Sequence, residues 1–159
     1  MADDGAAATS GSTALKAENA ALQEVLAAEH VAVWGYGVVG AELGSGADSD
    51  AVSAQAAHRD LRDRVAELLD SRKVDPVPAK AGYALPFPVL SAKDAAMLAV
   101  KLEDGVSQAL VRLLDQASEK STRQLAVESL ASAEVRAVSW RGAAGKTPTT
   151  SAFPGLPAS

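Results

Sequence analysis

Between Ala14 and Leu43 an apolar or aromatic side chain returns at every seventh position but one: Leu15, Leu22, Tyr36 and Leu43, with Val25, Leu26 and Val33 filling the same face. Seven residues make close to two helical turns, so these side chains stack in one stripe along a long amphipathic helix. The position that breaks the pattern is Glu29, in the middle of the stripe. A carboxylate buried there has to be paired, protonated, hydrogen-bonded or bound to a metal. What satisfies it decides what the chain can do.

Composition narrows the fold that such a helix joins. The chain has 159 residues, room for one domain with a real core. It is 48% hydrophobic but only 4% aromatic, so the core is built from Ala, Leu and Val, a mixture that favours close-packed helices over a sheet. The net charge of −5, with no block of Lys or Arg, argues against nucleic acid or an anionic membrane as partner. There is no cysteine, which excludes disulfides, iron–sulfur clusters and thiol catalysis. The longest uncharged apolar run, Val31 to Ala41, is too short to span a bilayer and is interrupted by glycines. Met1 to Thr13 has neither a basic segment nor an apolar core, so a cytoplasmic location is expected.

Residues 1–12 have a disordered composition. Thr13 is a candidate N-cap for the first helix, which should run to about Leu43 and stop at Gly44-Ser45-Gly46. Gly35, Gly37 and Gly40 inside it would each cost about 1 kcal/mol relative to Ala, which points to a close helix neighbour or a kink. Asp48 or Ser49 can cap a second helix, about Ala51 to Ser71, with Val52, Gln55, His58, Leu61, Val65 and Leu68 facing inward. Arg72 to Leu90 carries Pro76, Pro78, Pro86 and Pro88, which prevent a helix. Its stretch Tyr83 to Pro88 is too apolar for a free linker, so an ordered crossover strapped along the outside is expected.

Ser91 with Asp94 signals the start of a third helix, about Ala92 to Ala117, with Ala96, Ala99, Glu103, Val106, Leu110, Leu113 and Ala117 as its stripe. Ser121 with Gln124 reads as a capping box opening a fourth, about Thr122 to Arg141, with Val127, Leu130, Glu134 and Ala137 inward. The bundle would span residues 13–141, and the apolar tail within 142–159, Ala152 to Pro157, is expected to pack back onto it. Short turns after the first and third helices, with a long crossover between the second and third, give an all-α, up-down-down-up four-helix bundle. This is the connectivity of a ferritin-like bundle.

Each helix then offers one polar residue near mid-length: Glu29, His58, Glu103 and Glu134. Ferritin-like carboxylate proteins use one Glu from each of two helices and Glu-x-x-His from each of the others, so that carboxylates bridge two metals and each His holds one. Glu29 and Glu103 fit that pattern. In the second helix the first position of the pair is Gln55, and in the fourth it is Ala131, with Glu134 standing where His belongs. The set falls short of a full two-metal site, and the reduced alternative is one metal on Glu29, His58, Glu103 and Glu134. The metal-free alternative is a core network of Glu29, Gln55, His58, Arg62, Glu103 and Glu134. In that network Arg62 would reach Glu29 or Glu103, and Arg136 or Arg141 would serve Glu134. His30 should flank the stripe, Trp34 and Tyr36 should pack, and Trp140-Arg141 should anchor the end of the last helix. No catalytic triad order, phosphate loop or zinc signature is present.

Five segments together carry a resemblance: Ala28 to Gly40, His58 to Asp63, Tyr83 to Val89, Leu102 to Asp104 and Val135 to Arg141, with the tail Ala152 to Pro157. The combination resembles an actinobacterial ferritin-like family of unknown function. That resemblance implies a ferritin-like bundle and brings no activity or cofactor with it. The expectation is a protein with an incomplete, vestigial dimetal site, without a cofactor, that acts by binding a protein or small molecule or by assembling, with the first helix as a homodimer face. The competing expectation is an iron- or manganese-binding oxidoreductase with a reduced site.

Overall fold

Ala and Leu, which lose little on entering a helix, dominate the segments between the glycine and proline breaks. Four helices result: α1 (Asp4–Leu43), α2 (Ser49–Ser71), α3 (Ala92–Gln116) and α4 (Lys120–Ala143). They come from a computed structural model that describes residues 4–44 and 49–156, among which there is no strand. α1 begins well before Thr13, because Ala6, Ala7 and Ala8 continue the helix where disorder was expected. Asp48, one of the two candidate caps of α2, lies outside the described residues, as do 1–3 and 157–159.

Side-chain pairs fix the directions. Glu18, early in α1, meets Arg72 beyond the end of α2 and Thr122 at the start of α4. Glu103, midway along α3, meets Tyr36 late in α1 and Arg136 late in α4. So α1 runs antiparallel to α2 and α3, and α3 antiparallel to α4, which is the up-down-down-up order. The extensive helix interfaces are α1–α2, α1–α3 and α3–α4. The crossover climbs the outside of α1: Gln23 donates to the Asp75 carbonyl and accepts from the Val77 amide, His30 Nε2 meets the Val77 carbonyl, and Trp34 sits edge-on to Tyr83. Trp34 thus meets the crossover on one side and stays part-exposed.

Of Gly35, Gly37 and Gly40 one sits where packing leaves no room for a side chain as its neighbours stand. A Cβ on Gly35 would lie 2.7 Å from the Leu102 methyls, so glycine is what lets α1 and α3 approach there. Gly37 and Gly40 have ordinary clearance.

The buried faces of α1 and α3 follow the expected stripes, and every α3 stripe residue is buried. Two frames shift. On α2, Ala51, Ala54 and Leu69 are buried while Val52 is 58% exposed. On α4, Leu125, Ala126 and Ala133 point inward and Val127 is 55% exposed. The Ser121 capping box also fails: the cap residue of α4 is Glu119, without a capping bond of its own. Glu18 of α1 instead accepts from the amide of that cap residue. In the tail, a Cβ on Gly155 would clash with the Ser107 carbonyl, so its backbone lies tight on α3. Phe153, expected to pack back, is 71% exposed.

Candidate functional site

Glu29 of α1, His58 of α2 and Glu103 of α3 converge at mid-bundle, each fully buried. His58 is clamped between the carboxylates: Nδ1 lies 2.7 Å from Glu29 Oε2 and Nε2 lies 3.2 Å from Glu103 Oε1. Arg136 of α4 donates to Glu103 through Nε (2.8 Å) and Nη2 (3.1 Å). The Tyr36 hydroxyl donates to Glu103 Oε1 at 2.5 Å while its ring stacks on His58 with centroids 5.2 Å apart. Trp140 closes the other side of Tyr36 at 6.1 Å.

The electrostatics follow from this contact set. Burial works against a charged imidazole, but hydrogen bonds and attraction from Glu103 and Glu29 outweigh it, and the His58 pKa is pushed up to about 9. Burial also works against charge on Glu103, yet His58 and Arg136 hold its carboxyl below the usual carboxylate range. Among the described residues Glu29 has His58 as its single hydrogen-bond partner, so burial wins and its pKa rises. Burial, reinforced by the Glu103 charge, raises Tyr36 far above an ordinary phenol, which keeps it a hydrogen-bond donor. Two acids facing two cations leave the centre close to neutral, the condition for burying such groups. Glu29 Oε1 is the buried side-chain polar atom left without a partner among the described residues.

A second buried carboxylate, Glu18, ties the end of the bundle where α1 begins. Its Oε2 accepts from the Ser118 amide and hydroxyl and from the Glu119 amide, at 2.6 to 2.9 Å. Its Oε1 accepts from Thr122 at 2.5 Å and from Arg72 at 2.7 Å. Burial disfavours the charge here too, but Thr122, the Glu119 amide, Arg72 and Ser118 together hold its pKa at about 2. A carboxylate on the amides of Ser118 and of the cap residue Glu119, just before α4, is placed where a helix N-terminus favours negative charge. Glu18 escaped the sequence reading, although it stands eleven residues before Glu29, three helical turns along the same face.

The structure thus brings three predicted residues together and parts the rest. Gln55 turns aside and donates to the Val33 carbonyl at 2.8 Å. Arg62 pairs with its neighbour Asp63 near the surface instead of reaching Glu29 or Glu103. Glu134 forms a separate group, accepting from Ser107 at 2.7 Å and facing Arg141, which is itself bound to Asp104 at 2.6 Å. Of the two arginines expected to serve Glu134, Arg141 faces it and Arg136 serves Glu103 instead. Tyr36 enters the centre as a hydrogen-bond donor, a role its place in the stripe did not reveal.

This donor set does not fit the dimetal pattern. Both His58 nitrogens face carboxylates, Glu103 is chelated by a guanidinium, and neither Gln55 nor Glu134 is on hand to complete a shell. No group of three or more His, Asp or Glu arranged to hold a metal ion occurs among the described residues. Nor, among them, is any helix long and apolar enough to cross a membrane.

Fold and centre together define an all-α four-helix bundle built around a charge-balanced polar core. Residues 21–158 match the model of the domain of unknown function DUF4439, and the chain belongs to that family. It is similar to the crystal structure of a conserved hypothetical protein from Mycobacterium tuberculosis, with 38% identity, a TM-score of 0.77, and coverage of 80% of this chain and 96% of that one. No curated protein matches it.

Proposed function

We propose that this chain is a ferritin-like bundle in which a protonated His58 and Arg136 take the place of metal ions between Glu29 and Glu103, and that it acts by binding or assembly instead of redox turnover. The supporting observation is the clamp on His58, with a carboxylate on each ring nitrogen. An imidazole protonated at both nitrogens has no lone pair for a metal. The assembly arm of the reading is a homodimer, and a monomer at every concentration in sedimentation would remove it.

One observation favours the rival reading, an iron- or manganese-binding oxidoreductase with a reduced site: among the described residues Glu29 Oε1 has no partner although it is buried. Metal analysis of protein purified without chelator separates the two. Absence of stoichiometric metal in the wild type, with a folded but less stable Glu29→Ala, is the outcome expected for the ion-pair centre. Stoichiometric iron or manganese that disappears in Glu29→Ala would overturn it.

A further inference from the structure

The helix pairs in extensive contact leave out α2–α4. A cavity of about 280 Å³ opens between these two helices, walled by Ser53 and Ala54 of α2 and by Val135, Arg136, Ser139 and Trp140 of α4. We propose that it binds a small monocarboxylate with an apolar body, a site that goes beyond the reading of the buried centre and does not depend on the charge state of His58.

Ala54, Val135 and Trp140 provide apolar wall, and the volume falls just below the roughly 300–1,000 Å³ common for small-molecule sites, so the occupant is small. The polar end is Arg136. Its Nε and Nη2 are engaged by Glu103, but Nη1 carries no hydrogen bond among the described residues, and the side chain remains 22% exposed. A guanidinium with one edge free takes a planar carboxylate in preference to other acceptors. The hydroxyls of Ser53 and Ser139 stand beside it, also without hydrogen bonds among the described residues.

Asp50 sets the orientation. It lines the same cavity eight residues before His58, about 12 Å along α2 from the level at which Arg136 meets Glu103. A ligand carboxylate is repelled from that end and attracted to the other. The apolar body therefore extends from Arg136 past Trp140 toward Asp50.

The test titrates the full chain, labelled with nitrogen-15, with 3-phenylpropionate, 3-phenylpropanol and phenethylamine. The expected result is saturable shifts at the amides of Ser53, Arg136, Ser139 and Trp140. The acid should bind about tenfold more tightly than the alcohol, with the amine weakest. Ser139→Trp, which fills the cavity from an exposed position, should abolish the shifts while keeping a dispersed spectrum, and Ser53→Tyr should do so from the opposite wall. Equal binding of the alcohol or the amine, shifts that survive in both filled variants, or no saturable shift with any of the three up to roughly 10 mM would each overturn the proposal.

Discussion

Glu18 and Glu29 stand on one face of α1, eleven residues or about 16 Å apart, and both are fully buried, yet they sit in opposite electrostatic circumstances. Glu18 meets amides, hydroxyls and a guanidinium on both oxygens, and its pKa falls to about 2. Glu29 meets a single imidazole and keeps one oxygen bare, so its pKa rises. Burial acts on both in the same direction. What separates them is the number of donors within reach, and that number is set by topology. The end of the bundle brings a loop, a helix N-terminus and Arg72 to Glu18, whereas mid-helix backbone has no free amides to offer. The end knot is a structural tie, and the centre is a place where charge is balanced by few groups and is easily disturbed.

The largest way to break this comparison is His58→Leu, which removes the cation shared by Glu29 and Glu103 in a fully buried site. Loss of one partner from such a network should cost about 3–5 kcal/mol, read as a lower midpoint in urea unfolding. Glu18→Ala should cost less, about 2–3 kcal/mol by the same measurement, because Ser118 and Glu119, whose amides it accepts from, are exposed residues where water can replace the carboxylate. An equal loss in the two variants would erase the distinction drawn between the regions.

A smaller and more selective effect is the sign of the pH dependence. His58 rises from 6.5 to about 9 on folding, so its stabilisation is complete below pH 6.5 and is lost as pH climbs through 9. Glu18 falls from 4.5 to about 2, so its stabilisation is complete above pH 4.5 and is lost as pH drops toward 2. Unfolding midpoints measured across pH should therefore decline on both sides. The alkaline decline should flatten in His58→Leu and the acid decline should shrink in Glu18→Ala. A decline that responds to the other variant instead would assign the titrations wrongly.

The same contrast explains how far the sequence could be read. Helix count, topology and the convergence of Glu29, His58 and Glu103 were legible because apolar residues, small and large, keep a regular helical spacing on α1 and α3 around the two glutamates. On α2 and α4 several inward positions are alanines, Ala51, Ala54, Ala126 and Ala133, which read equally well as surface, so Val52 and Val127 misplaced the frame. Gln55 precedes His58 by three residues, which leaves it roughly 60° off the inward direction, enough to send it to the Val33 carbonyl. Arg136 and Arg141 read as equivalent partners for Glu134 on their own helix; Arg141 faces it, while Arg136 turns to a carboxylate 33 residues away that only tertiary packing reveals. Glu18 went unseen because an early helical glutamate reads as solvated until the loop that satisfies it is in place.

The most direct measurement is the titration of the His58 ring by nitrogen-15 NMR, simplified because the chain has only two histidines. The expected result is an imidazolium that persists through pH 8 and releases its proton near 9, with a tautomer-independent pair of ring signals typical of both nitrogens bearing protons. A ring that is neutral at pH 7, with one nitrogen unprotonated, would contradict the claim that a proton holds the two glutamates together.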